Sequence, residues 1–240
     1  MGGIKKNTLT EGTFMEKGRL LRVCTYNILH GMMVEGNEER IGEFLKETGA
    51  EIVGLQEVDR FTARVGGRDI LKTVAEAGGF PYYAFARAID IGAGEYGTAI
   101  LSRHPIVSFS VTPLPVARDC EDRSIGHAVI ELDGEALHVF NTHLAFERLD
   151  LKRKQLEHIA PMIERLDRFV LMGDFNLFDC AELKVLTNAR TLNEAAYPTY
   201  YPRQEAIDHI MIPASVEAGR VEMPTPTYSD HYPLVADLYL

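Results

Sequence analysis

The sequence predicts an α/β protein built on mixed β-sheets, with a polar cleft where the strands end. Three observations predict it. Apolar runs of strand length outnumber the amphipathic helical stretches, so the chain is not mainly helical. One pair of runs, Ser124–Leu132 and Ala136–Leu144, flanks Asp133-Gly134, a strong hairpin signal that excludes a simple doubly wound parallel sheet. Five segments place polar or charged residues where strands should stop: Tyr26-Asn27, Gln56-Glu57, Asn141-Thr142-His143, Gly173-Asp174-Phe175-Asn176 and Ser229-Asp230-His231. Carboxylates gathered at such a site repel one another unless a cation sits among them. Oxygen donors favour a hard divalent ion such as Mg2+.

Each element follows from local pattern. Residues 1–19 are polar and weakly periodic and read as a loose leader, and 20–240 read as one domain. Leu20–Leu29 is almost entirely apolar or β-prone, which predicts a strand buried on both faces. Asn37 is the expected cap of a helix whose inner face carries Ile41, Phe44, Leu45 and Thr48 and which Gly49 ends. Ile52–Val58 is the next strand, and Ile70, Leu71, Val74 and Ala75 mark a second helix closed by Gly78-Gly79. Strands are expected at Tyr82–Arg87, Tyr96–Ser102 and Ile106–Val111, before the hairpin. A longer helix carries Leu156, Ile159, Ile163 and Leu166 on one face, with Pro161 expected to kink or shorten it. Phe169–Met172 is a short buried strand, Ala181–Thr187 a helix, Tyr197–Pro202 irregular, and Ile207–Ile212 and Tyr232–Leu240 the last strands.

Composition narrows the classes. The 240 residues are 46% hydrophobic and 25% charged, enough for a sizeable core. A net charge of -10 supplies no general basic field for nucleic acid, though a local basic groove stays open. Cys24, Cys120 and Cys180 are odd in number and lack metal-ligand spacing, which fits a reducing compartment, so a cytoplasmic location is expected. No stretch is long and apolar enough to span a membrane, and a monomer is expected.

Six segments in order, Thr25-Tyr26-Asn27-Ile28, Leu55-Gln56-Glu57-Val58, Asn141-Thr142-His143-Leu144, Gly173-Asp174-Phe175-Asn176, Ile207-Asp208-His209-Ile210 and Ser229-Asp230-His231-Tyr232-Pro233, carry a resemblance to the endonuclease/exonuclease/phosphatase superfamily. The resemblance covers about residues 20–240. It implies a four-layer αββα sandwich, two mixed sheets face to face between helices, with the active cleft at one end. It also implies metal-assisted hydrolysis of a phosphate ester. By the resemblance, Glu57 holds Mg2+ or Mn2+, with Asn27 and Asp230 at the ion or its waters. Asp174 orients or deprotonates the attacking water, and Asn176 donates to a phosphoryl oxygen. Their two-residue spacing would point both the same way on an extended segment. Asp208 fixes the tautomer of His231, which acts as base or phosphate contact. His143 contacts the scissile phosphate, Asn141 orients it or meets the phosphate, and Arg123 is a further phosphate contact. His209 should point away from Asp208 into packing, and His30 receives no role.

Each of these residues also has a plainer reading: a turn Asn, a surface Glu after a strand, a solvated strand-edge Arg. Only their occurrence together in order favours chemistry. The substrate is expected to be a small or lipid-derived phosphodiester, because the chain is compact, acidic and weakly basic before Asp208. The alternatives are a nuclease on DNA or RNA, a phosphomonoesterase on a sugar or inositol phosphate, and a non-catalytic binding module on the same fold. Phe85–Tyr96 or Tyr197–Tyr201 could supply an exposed apolar loop to a lipid-acting version.

Overall fold

The computed structural model describes residues 18–31, 33 and 36–240. Most of the expected leader, residues 1–17, therefore lies outside the described residues. The chain runs through β1 (Leu20–Asn27), α1 (Asn37–Glu47), β2 (Ile52–Arg60), α2 (Ile70–Gly78), β3 (Tyr82–Ile91) and β4 (Gly94–Ser102). It continues through β5 (Ile106–Pro113), β6 (Ser124–Leu132), β7 (Glu135–His143), α3 (Leu149–Ile163) and β8 (Phe169–Asp174). The last elements are β9 (Ala189–Thr191), β10 (Asp208–Pro213), β11 (Glu217–Glu222) and β12 (Leu234–Tyr239).

These strands form two six-stranded sheets, ordered β11-β12-β1-β2-β4-β3 and β5-β6-β7-β8-β10-β9. Each is mixed: β1–β2 and β7–β8 are parallel, and their neighbours pair antiparallel. Three apolar clusters sit between four layers. Leu21, Val23, Ala128, Val139, Met172 and Ile210 fill the space between the sheets. Ile41 and Leu45 of α1 and Val74 of α2 pack with Tyr26, Val53 and Leu55 on the outer face of the first sheet. Leu156, Ile159 and Ile163 of α3 do the same on the second, against Phe140, Phe169 and Leu171. Each such side chain contributes about 1.5–3 kcal/mol by leaving water. The architecture is the expected αββα sandwich.

Local chemistry explains the boundaries. Asp69 caps α2 by accepting from the Lys72 N–H at 3.2 Å, and Gly79 ends it at φ 68°. Asp133 and Gly134, at φ 56° and 83°, turn β6 into β7 as expected. Other expectations need correction. Asn37 is the first residue of α1, not its cap; Gly36 holds that position, and the Asn37 amide donates to the Tyr228 carbonyl at 2.7 Å. β1 stops at Asn27 because Leu29 and His30 turn left-handed, at φ 44° and 58°. α3 accepts Pro161 in its last turn and ends two residues later. A 3-10 turn, Cys180–Val185, replaces the helix expected over 181–187. β9 was too short to read, and β11 is a polar edge strand without the alternation that marks a buried one.

Candidate active site

Parallel pairing puts the C-terminal ends of β1, β2, β7 and β8 at one end of the sandwich. Asn27, Glu57, His143 and Asp174 are carried there. β10 runs antiparallel to β8 and starts beside that end, with Asp208 opposite Asp174. The segment leading into β12 brings Asp230 and His231. Two glycines permit the close approach. A Cβ on Gly54 would lie 2.7 Å from the Asn141 Oδ1, and one on Gly173 would lie 2.1 Å from the Thr142 carbonyl oxygen.

The wall from the first sheet is built around Glu57. This residue sits at φ 56° in a bulge where the β2–β4 register shifts between Leu55 and Val58. A non-glycine residue there costs about 1–3 kcal/mol, which the surrounding structure must offset. The Asn27 amide donates to Glu57 Oε1 at 3.1 Å, and His30 Nε2 lies 3.2 Å from Oε2. Behind them, His30 Nδ1 is 3.5 Å from the buried Asp59 carboxylate, too long for a strong hydrogen bond. Asp59 is gripped by Arg64 through Nε at 2.6 Å and Nη2 at 2.7 Å, and also by the Thr62 hydroxyl. Burial pushes the Asp59 carboxyl up, but Arg64 and Thr62, with His30 nearby, outweigh that and hold it well below the usual carboxylate range.

The wall from the second sheet is drier. Asp174 is 1% exposed. Its Oδ1 accepts from the Asn176 N–H at 2.9 Å and its Oδ2 from Asn27 at 3.1 Å. His143 Nε2 and His231 Nε2 stand 3.4 and 3.7 Å from the same Oδ2. Burial, with the Asp208 carboxylate added, lifts the Asp174 carboxyl to about 7 despite His231 and the donors. His231 Nδ1 meets Asp208 Oδ2 at 2.8 Å, as expected. Burial would lower His231, but Asp208, then Asp174 and Asp230, outweigh it and carry it up to about 10. His143 goes the other way: burial and the Arg123 guanidinium hold it well below the ordinary imidazole value. Arg123 Nη1 lies 3.2 Å from His143 Nδ1. A guanidinium only donates, so Nδ1 accepts and the neutral ring carries its proton on Nε2, toward Asp174. Arg123 is itself 4% exposed and pairs with Glu121 at 2.7 Å.

Between the walls lies a cleft of about 390 Å3, lined by Glu57, Arg123, His143, Asp174, Asn176, Asp230 and His231 among others. One expected role and one expected orientation change. Asn27 Oδ1 accepts from the Leu29 N–H at 3.1 Å, and its amide hydrogens face Glu57 and Asp174. It ties the two walls together. Asn141 is fully buried, donating at 2.8 Å to the Leu55 and Ala99 carbonyls and accepting from Gln56 at 2.7 Å. It staples one sheet to the other, does not line the cleft, and has both amide hydrogens engaged, leaving no donor for phosphate. Asn176 is not on an extended segment with Asp174, because β8 ends at Asp174 and Asn176 sits at φ 52°. It donates to the Leu144 carbonyl at 3.0 Å, which leaves one amide hydrogen for the cleft. His209 packs away from the site as expected, buried edge-on to Phe175 with Nδ1 2.9 Å from the Thr191 hydroxyl.

A divalent cation fits this chemistry. The acidic donors Glu57 and Asp230 both line the cleft, and Asn27 and His30 bracket the two oxygens of Glu57. One oxygen or nitrogen each from Asp174, Asp208 and His231 also lie within 4.8 Å of one another. There the Asp208–His231 hydrogen bond already engages two of the three groups, so Glu57 with Asp230 suits a hard ion better. Sequence reasoning passed over His30, Asp59, Arg64 and Glu121. The first two sit within three residues of Asn27 and Glu57, the one local signal that pointed to them.

The sandwich with its polar cleft is a phosphoesterase fold. A profile of the Endonuclease/Exonuclease/phosphatase family matches residues 24–231, and the chain belongs to that family. Escherichia coli YbhP, an uncharacterized protein, is 26% identical over 176 residues, covering 66% of this chain and 68% of its own. A Beutenbergia cavernae endonuclease/exonuclease/phosphatase structure matches with TM-score 0.78 at 20% identity, over 92% of this chain and 72% of that one. A Bacteroides thetaiotaomicron mannosyl-6-phosphatase matches with TM-score 0.70 at 17% identity, over 92% and 100%. At these identities the structures speak for the fold alone.

Proposed function

We propose that this chain hydrolyses a phosphodiester of a small or lipid-derived substrate by in-line attack of an activated water. The observation that carries the reading is one amide, Asn27, donating at 3.1 Å both to Glu57 of the open wall and to Asp174 of the buried wall. One amide thus links carboxylates on the two walls of the same cleft, which supports a reading in which Glu57 serves as an oxygen ligand and the Asp174 cluster as acid and base. When bound by Glu57 and Asp230, Mg2+ or Mn2+ would neutralise phosphate charge and stabilise the leaving oxygen. Asp174, with a carboxyl near 7, is suited to take a proton from water at neutral pH. His231, held cationic by Asp208, stabilises a developing phosphorane charge. Neutral His143, fixed by Arg123, offers its Nε2–H to a phosphoryl oxygen. The remaining Asn176 hydrogen does the same.

The three cysteines are free, which supports action in a reducing compartment. No helix among the described residues is long and apolar enough to cross a membrane. The test is hydrolysis of bis(p-nitrophenyl) phosphate and p-nitrophenyl phosphate with Mg2+, Mn2+ or chelator, beside Asp174→Ala. Metal-dependent diester turnover that vanishes in the variant is expected. Turnover of the monoester alone would move the reading to a phosphomonoesterase, the activity named for the Bacteroides neighbour.

A further inference from the structure

The floor of the cleft is polar, but its rim is not. Phe146 and Phe178 are each 62% exposed, the most exposed large hydrophobic side chains among the described residues, and both line the cleft. They occupy matching places. β7 delivers His143, and Leu144 and Ala145 turn inward before Phe146 emerges. β8 delivers Asp174, and Phe175 and Leu177 are buried before Phe178 emerges. Two parallel neighbouring strands therefore each hand over a reactive group and, within four residues, an uncovered phenyl ring. Scattered apolar side chains on a surface need no explanation, but a pair at the mouth of a polar cleft marks contact with a ligand.

Phe178 also has a partner on one face. The Lys152 ammonium lies 5.3 Å from its ring centroid, and that lysine is anchored at 2.6 Å to the Asn176 carbonyl. The cation covers part of one face and leaves the ring more than half open. Tyr200, half-buried with its ring 5.0 Å from the His231 ring, adds a third aromatic surface to the lining. The loops expected to supply exposed apolar surface do not: Tyr96 is buried, and Phe85, Tyr197, Tyr200 and Tyr201 are half-buried.

We propose that Phe146 and Phe178 form a subsite for a planar, aromatic ester group on the substrate phosphate. A molecule that suits an anion-handling floor and an aromatic rim at once is charged at one end and flat and apolar at the other. Stacking on a phenyl ring needs a planar partner and no hydrogen bonds, and none of the rim residues' ring atoms offers one. The inference rests on the phosphoester reading and specifies the part of the substrate that reading leaves open.

The test is equilibrium binding, with Mg2+ present, of methylphosphonate, phenylphosphonate and cyclohexylphosphonate to the full chain. Wild type, Phe146→Ala, Phe178→Ala, the double variant and Phe178→Leu are compared, each checked for folding by circular dichroism. Wild type is expected to bind phenylphosphonate roughly tenfold tighter than methylphosphonate. The double variant loses that preference and keeps its affinity for methylphosphonate, and Phe178→Leu keeps only part of it. Equal binding of phenyl- and methylphosphonate by wild type overturns the subsite while leaving the phosphate site standing. A cyclohexyl group bound as well as phenyl overturns the planar assignment. Failure to bind any of the three phosphonates defeats the phosphoester reading and the subsite with it. Sedimentation with phosphatidylcholine vesicles is the last arm. Rim-dependent pelleting without any phenyl preference assigns the rim to a bilayer and overturns the proposal.

Discussion

Glu57 and Asp174 are both carboxylates where the parallel pairing of the second strand of a pair runs out, yet the structure treats them oppositely. The Glu57 side chain is 18% exposed and opens to the cleft, with the Asn27 amide donating to one oxygen and His30 Nε2 3.2 Å from the other. The Asp174 side chain is 2% exposed, stands against Asp208 across the β8–β10 register, and is lifted to about 7. Residue type and strand position do not separate them; solvent and neighbouring charge do. The open carboxylate suits a hydrated divalent ion. The enclosed one suits a proton.

The largest expected effect tests that division directly. Asp174→Asn keeps the shape and removes the proton acceptor, so turnover of a chromogenic diester should fall about 10^2- to 10^4-fold. Calorimetric Mn2+ binding should survive; its loss would place the ion on the buried wall. Glu57→Gln is the converse. Its Mn2+ affinity should fall by more than the roughly 10- to 100-fold that disturbing an outer-sphere partner costs. Unchanged affinity would erase the distinction between the walls.

His30→Ala sharpens the picture of the open wall. It removes the group 3.2 Å from Glu57 Oε2, and Mn2+ affinity should weaken about 10- to 100-fold, with His30→Gln recovering part of it. Equal loss in both variants, at unchanged thermal stability, would make His30 more than an orienting partner. The smallest effect belongs to the join between the walls. Asn141→Ala leaves the Leu55 and Ala99 carbonyls and the Gln56 amide short of a partner, so urea unfolding should show a loss of about 1–3 kcal/mol. Mn2+ affinity should stay as it was; a large drop would show that the staple also aims Glu57.

The sequence by itself determined most of the strands and pointed to the polar end of the sandwich. Period-two apolar runs can bury a face only as strands, and Asp133-Gly134 can turn left-handed cheaply, so β6 and β7 were legible residue by residue. Polar residues at strand ends pointed to Glu57, His143, Asp174 and His231, because a core has no use for them there, and the family resemblance added Asp208. The tertiary structure alone decided what each one does. Asn27 and Asp174 are 147 positions apart, and Gln56 and Asn141 are 85 apart. No local pattern records which end of an amide meets which partner over such distances. Glu57 and Asn176 adopt left-handed backbone that propensity argues against, so their side chains leave the directions an extended strand would give them. Phe146 and Phe178 read as ordinary apolar residues in a chain 46% hydrophobic. Only the packing of α3 and the strand ends beneath them shows that nothing covers them, since exposure is a property of the whole surface and not of any segment.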